Sequence, residues 1–130
     1  MGKRKRRSAL TVSAEEFDSL VQRALDGLPD EYARLMKNVA VVVEEEPSRD
    51  VLDELGLASE DDLLGLYSGV PVDEESFFSP GGHMPNQISL YRGPILRLCR
   101  TSDEVVDEVR DTVVHEIGHH FGLSDDEMPY

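Results

Sequence analysis

The C-terminal part of the chain places the strongest constraint on the fold, because it carries a long helical pattern with clear limits. Thr101 and Glu104 have the spacing of a capping box. Gly122 is the residue type that commonly ends a helix in a left-handed conformation. The pattern predicts an amphipathic helix, which other elements must bury along one stripe: Val105, Val106, Val109, Val113, Ile117 and Phe121.

Upstream, helical and strand patterns alternate without an internal repeat. Ser13 and Glu16 form a second capping-box pair, and the helical pattern that follows them stops at Pro29. The sequence therefore predicts a first helix that covers a core. Further elements are predicted as short helices at 30–37 and 49–57, a polar turn at 59–62, and strands at VAVVVEEE, LLGLYSG and QISLYRG.

The predicted strands also indicate how the sheet is arranged. The valine-rich first strand is expected to be buried on both faces, while Pro94 favours an edge position for QISLYRG. A loop rich in Pro and Gly is predicted at 70–86. With a length of 130 residues, the chain is expected to form one α+β domain at 9–130, with a small mixed sheet packed against helices.

Charge is distributed unevenly along the chain. The net charge is −14, yet five of the 13 basic residues lie between Lys3 and Arg7, which leaves eight basic against 27 acidic residues elsewhere. This acidic body should repel nucleic acid. Residues 1–8 are predicted to be a disordered, solvated basic tail, and contact of this tail with RNA, an anionic membrane or an acidic partner is the alternative.

Composition also bears on the cellular compartment. No stretch approaches the roughly 18 apolar residues of a membrane-spanning helix, and the basic start is not followed by the apolar segment of a signal peptide. The single cysteine, Cys99, excludes an internal disulfide and is expected to be a small buried residue. These features predict a cytoplasmic protein without a membrane association, and we expect it to be a monomer.

The sequence HEIGH, residues 115–119, lies within the predicted C-terminal helix. His115 and His119 are four residues apart, so both imidazoles project from one side of the helix and can reach one metal ion. Glu116 flanks the same face, where it can act on a water molecule without becoming a ligand. The pattern predicts one zinc ion per chain, with Glu116 as a general base.

A catalytic zinc ion needs a third protein ligand and one open position. After the expected turn at Gly122, Asp125 is the first residue of a strong ligand type that can approach the ion, and Asp126 is its nearest competitor. His120 is directed away from the histidine pair by roughly 120°, which favours packing, or a contact that supports a ligand, over direct metal binding. Met128 is expected to make a simple apolar contact, and a place beneath the zinc ion is the alternative.

HEIGHHFGLSD resembles the zincin signature, in the extended His-Glu-x-x-His-x-x-Gly-x-x-His/Asp form of metzincin-like metalloproteases. With LLGLYSGVP, QISLYRGPILRL and TVVHEIGHHFGLSDDEM, most of residues 10–130 is similar to small bacterial zincin-like metallopeptidases, which have a minimal matrix-metalloprotease-like fold. The resemblance implies a zincin-like α+β fold with a C-terminal zinc-binding helix. It also implies His115, His119 and Asp125 as zinc ligands and Glu116 as catalytic base. Metzincins place a histidine where this chain has Asp125, and a carboxylate makes zinc a weaker Lewis acid.

The function predicted from these residues is that of a zinc-dependent hydrolase, in which Glu116 takes a proton from zinc-activated water and returns it to the leaving amine. The substrate is a peptide or a small amide. The alternatives are a non-catalytic zinc-binding domain that acts through protein partners, and a nucleic-acid-associated factor that uses the basic tail. Four residues are chemically able to stabilise the oxyanion, and the sequence does not choose among them: Tyr67, His83, Tyr91 and Tyr130.

Overall fold

The computed structural model describes residues 10–68 and 86–120. These residues form five helices and a three-stranded mixed sheet, so the predicted α+β fold is confirmed. Single turns of 3-10 helix lie at Met36–Asn38 and Glu60–Asp62. In chain order the elements are α1 Ala14–Asp26, α2 Asp30–Leu35, β1 Val39–Glu44, α3 Arg49–Leu55, β2 Gly65–Ser68, β3 Asn86–Tyr91, α4 Arg92–Leu98 and α5 Ser102–His120.

The two long helices begin where the capping patterns predict. At α1, the backbone N–H of Glu16 donates to Ser13 Oγ at 3.1 Å, and Ser13 N–H donates to Glu16 Oε1 at 3.1 Å. At α5, Glu104 N–H donates to Thr101 Oγ1 at 3.1 Å, while Glu104 Oε1 accepts from the N–H of Arg100 at 2.7 Å. Side-chain oxygens thus satisfy backbone donors that the first helical turn leaves without a partner.

The sheet has the order β1-β3-β2, with β1 parallel and β2 antiparallel to β3. The expected edge position of QISLYRG is therefore wrong, because β3 is paired on both sides. Pro94 does not belong to the strand, which ends at Tyr91; it lies in the first turn of α4. In that turn the N–H that proline lacks would have no helical partner, so proline is tolerated there.

The burial expected for β1 is also wrong. Its residues are half-buried or exposed, and Ala40 and Glu44 are exposed. Within the described part of the chain, β1 ends the strand order and has β3 on one side only. The buried strand is instead β3, where Ile88 and Leu90 are fully buried.

The core lies between α1, β3, α4 and α5. It includes the predicted stripe of α5 from Val105 to Ile117, with Val106 half-buried against it, while Phe121 lies outside the described residues. Cys99 is buried at 3% exposure, as expected. Burial raises the pKa of the Cys99 thiol to about 11. The large fully buried side chains of this cluster are Phe17, Tyr32, Ile88, Leu90, Ile95, Val105, Val109, Val113, Val114 and Ile117.

Some predictions concern parts of the chain that the structure does not describe. The tail at 1–8, the loop at 70–86 apart from Asn86, and the helix end at Gly122 lie outside the described residues. Among residues 10–68 and 86–120, no helix combines the length and apolar content needed to cross a bilayer.

Candidate metal centre

The histidine pair lies on α5, on the side away from the core. Val113 and Ile117 are fully buried, whereas His115 is half-buried and His119 is exposed. The two imidazole rings have centroids 6.1 Å apart and planes inclined by 33°. The helix thus brings both rings to one surface, one turn apart, as their spacing predicts.

The separation of the two rings is compatible with one zinc ion. With Zn–N bonds of about 2.1 Å, each ring centre lies about 3.2 Å from the ion, so two rings on one ion are at most about 6.4 Å apart. A tetrahedral angle would bring the ring centres to about 5 Å, which needs only small side-chain rotations. Two imidazoles are also a donor set that zinc prefers. His115 and His119 therefore fit the predicted metal.

A third ligand is not found in the part of the chain that the structure describes. Among these residues, no three His, Cys, Asp or Glu side chains are arranged to hold a metal ion. Asp125, the predicted ligand, lies outside them, as do its competitor Asp126 and the nearby Met128. Their contribution to the metal centre stays a prediction.

Glu116 is fixed against β2. The backbone N–H of Tyr67 donates to Glu116 Oε1 at 2.9 Å, and the glutamate is half-buried. Glu116 follows His115 on the helix, and its side chain lies on the flank between the histidine pair and the buried stripe. The predicted base is thus held next to the predicted ligands by a backbone hydrogen bond.

Two further contacts join α5 to β2 on this flank. Gly65 approaches Thr112 so closely that an added Cβ would lie 2.6 Å from Thr112 Cγ2. The rings of Tyr67 and His120 stack, with centroids 4.0 Å apart and planes inclined by 29°. The packing role predicted for His120 agrees with this contact. The backbone of Tyr67 was not foreseen, because sequence patterns report side chains and say nothing about backbone groups at a strand edge.

The four candidates for oxyanion stabilisation differ in their positions in the structure. Tyr91 is 3% exposed, and its pKa is raised, first by burial and then by the negative charge of Glu44. A hydrogen bond with Ser89 lowers the pKa of Tyr91 in part, and the charge of Glu116 raises it slightly. Tyr67 lies directly beside α5. His83 and Tyr130 are outside the described residues.

Comparison with known proteins agrees with this geometry. The sequence model that describes the zincin-like metallopeptidase family matches residues 36–130, which include all three strands and the whole of α5. A solved structure of a conserved hypothetical protein from Thermus thermophilus is similar, with a TM-score of 0.54 and 27% sequence identity. The similarity covers 84% of this chain and 94% of that one. No curated protein matches the chain.

The family match covers most of the chain and includes the helix that carries the histidine pair. It agrees with the resemblance that the sequence of this helix indicated. On these grounds the chain belongs to the zincin-like metallopeptidase family.

Proposed function

We propose that this chain is a zinc-dependent hydrolase, in which His115, His119 and Asp125 hold one zinc ion and Glu116 is the general base. The observation that carries the proposal is the position of Glu116. Its carboxylate lies beside a histidine pair that fits one ion, and Tyr67 N–H holds one of its oxygens at 2.9 Å. The family supports zinc-dependent hydrolysis at a coarser level.

The chemistry of each residue follows from its type and place. Bound zinc would polarise the scissile carbonyl and lower the pKa of water toward neutrality. Glu116 would accept the proton of the attacking water and deliver it to the leaving nitrogen. Imidazole is an uncharged metal ligand, so His115 and His119 would not offset the positive charge of the zinc ion, which would remain available to polarise the carbonyl oxygen. Asp125 would complete the three-ligand set and leave a fourth position open.

The substrate class is that of a peptide or small amide bond. An extended peptide cannot add to β3, because both sides of that strand are paired. The pKa of Tyr91 is raised, chiefly by burial, so its side chain keeps the hydroxyl proton. We include it as a candidate for stabilising the oxyanion.

Metal content of the purified protein tests the ligand set. We expect about one zinc ion per chain in the parent and clear loss in His115→Ala and in Asp125→Ala. His120→Ala is the matched control, because His120 lies on the same helix but stacks on Tyr67; it should keep the metal. Substoichiometric zinc that neither ligand substitution changes would contradict the proposal.

A second measurement separates catalysis from metal binding. Glu116→Gln removes the base but keeps the size of the side chain, so this variant should bind zinc like the parent. Against a library of quenched fluorescent peptides, it should lose all hydrolysis that the parent shows. Unchanged hydrolysis in Glu116→Gln would exclude Glu116 as the base, and a zinc-loaded parent without hydrolysis would favour a non-catalytic zinc domain.

A further inference from the structure

We propose that the backbone amide of Tyr67 is a positioning group for Glu116: it anchors one carboxylate oxygen and thereby orients the other for proton transfer. The anchor is a direct hydrogen bond of 2.9 Å between strand β2 and helix α5. Its role in catalysis rests on the proposed function, but the anchor itself does not require zinc or substrate.

The register of β2 explains why this amide is available to the helix. Tyr91 N–H donates to the carbonyl of Leu64, so these two residues form a hydrogen-bonded pair of the antiparallel ladder. Along an antiparallel ladder, such pairs alternate with pairs whose backbone N–H and C=O groups point away from the partner strand. Leu66 therefore faces Ser89 in the next hydrogen-bonded pair, and the N–H of Tyr67 points away from β3. An acceptor must come from outside the sheet, and Glu116 supplies it.

Packing on both sides fixes the strand at this distance from the helix. Thr112 lies one turn before Glu116 and meets Gly65, while His120 lies one turn after it and stacks on the ring of Tyr67. The three helix positions are four residues apart, so they follow one flank of α5. An added Cβ at Gly65 would also lie 3.0 Å from the carbonyl oxygen of Ser89. The hydrogen bond is thus set by the rigid approach of two elements.

This arrangement has a chemical consequence. A glutamate side chain has several rotatable bonds, and restricting it carries a cost in conformational entropy. A base that is already held near the metal ligands meets this cost on folding, before any substrate arrives. Loss of the anchor should therefore lower kcat more than it changes KM, while zinc content stays the same.

Amide hydrogen exchange of the full chain, followed residue by residue by NMR, tests the anchor directly. We expect slow exchange at both Leu66 and Tyr67 in the parent. In Glu116→Ala the Tyr67 amide should exchange about tenfold faster or more, while Leu66 is unchanged, because Leu66 faces Ser89 within the ladder. Glu116→Gln keeps an oxygen acceptor at the same place, so it should retain protection at Tyr67.

Glu108→Ala is the matched control, since Glu108 is another half-buried glutamate on the same helix. It should leave exchange at Tyr67 unchanged. Equal Tyr67 exchange in the parent and Glu116→Ala would overturn the proposal, and so would an equal rise at Tyr67 and Leu66, which would indicate general loosening of β2. These outcomes do not depend on metal. A failed zinc measurement would remove the proposed function and leave the anchor in place.

Discussion

The two outer strands of the sheet differ in how a helix meets them. At β2, α5 is in close contact: Glu116 accepts a backbone hydrogen bond from Tyr67, and a side chain at Gly65 would collide with the helix. At β1, α1 leaves a groove of about 530 Å³. The groove has both apolar and charged walls, formed by Ala14, Asp18, Val21, Gln22, Leu25, Val41, Val43, Glu45 and Arg92.

This difference shows that an open groove and the residues suited to metal chemistry lie at different places in the fold. The groove beside β1 is roomy, but among the residues that the structure describes, no histidine or cysteine lines it. The predicted zinc-binding histidines and the base lie instead beside β2, where strand and helix are in tight contact. A metal centre needs donors held in fixed directions, and close packing supplies that better than an open groove does.

The largest expected effect is a loss of stability on the α1 side of the core that leaves zinc binding unchanged. Phe17 on α1 is fully buried, so Phe17→Ala should lower the free energy of unfolding by about 3–5 kcal/mol. Zinc content per folded chain should not change. Denaturant unfolding and metal analysis measure the two quantities, with Phe17→Leu as a milder variant.

Ser19 provides the control for this prediction, because it is exposed on the same helix. Ser19→Ala should stay within about 0.5 kcal/mol of the parent. A folded Phe17 variant that has lost its zinc would contradict this expectation, since it would show that the α1 side also determines the metal centre.

A smaller effect is expected at the contact between β2 and α5. Gly65→Ala places a Cβ 2.6 Å from Thr112 Cγ2, and we expect a loss of about 1–3 kcal/mol in the free energy of unfolding. Adding Thr112→Ala removes the nearest methyl group and should recover part of this loss. Recovery is partial because the carbonyl of Ser89 stays 3.0 Å from the new Cβ.

Gly27→Ala is the matched control at the end of α1. A Cβ there meets its nearest atom at 3.6 Å, an ordinary contact distance. Thermal unfolding of these three variants and of the parent measures the differences. If Gly65→Ala were no worse than Gly27→Ala, the tight contact at β2 would not exist in solution.

The smallest effect concerns the charged residues that follow β1. Arg97 binds Glu46 through two hydrogen bonds of 2.8 and 2.9 Å and also contacts Asp61 at 2.6 Å. The side chain of Arg97 is 40% exposed, so solvent screens the cluster. Arg97→Met, which keeps most of the apolar stem, should lower the free energy of unfolding by roughly 1 kcal/mol.

This contribution should depend on pH. Arg97 lowers the pKa of Glu46 below its ordinary value of 4.5, chiefly through the side-chain hydrogen bond. A carboxylate with a lowered folded pKa stabilises the fold above its unfolded pKa and loses that effect as pH falls through the folded value. The difference between parent and Arg97→Met should therefore be full at pH 7 and shrink below about pH 4.5. A difference that grew on acidification would contradict this assignment.

Much of the fold followed from local patterns. The capping pairs at Ser13 and Thr101 located the starts of both long helices, because a cap is a contact between residues three apart. The spacing of His115 and His119 determined that their rings share one side of a helix, for the same reason. Helical geometry alone decides such contacts, so the sequence is sufficient for them.

The order of strands did not follow from such patterns. The sequence pattern around Pro94 predicts an edge strand, although Pro94 belongs to α4. The valines of β1 predict burial that the outer position of this strand does not provide. Hydrophobicity indicates that a strand can be buried, whereas its neighbours decide whether it is. Those neighbours are distant in sequence, as β1 and β3 are.

Local sequence is sufficient to predict the helix with its histidine pair and its glutamate, since one helical turn relates these residues. What holds the glutamate in place depends on contacts between distant parts of the chain. The N–H of Tyr67 lies 49 residues away in the chain and reaches Glu116 because β2 pairs with β3 in one register and packs against α5 without a side chain at Gly65. Every residue other than proline has the same backbone amide, so its use depends on where the fold brings it.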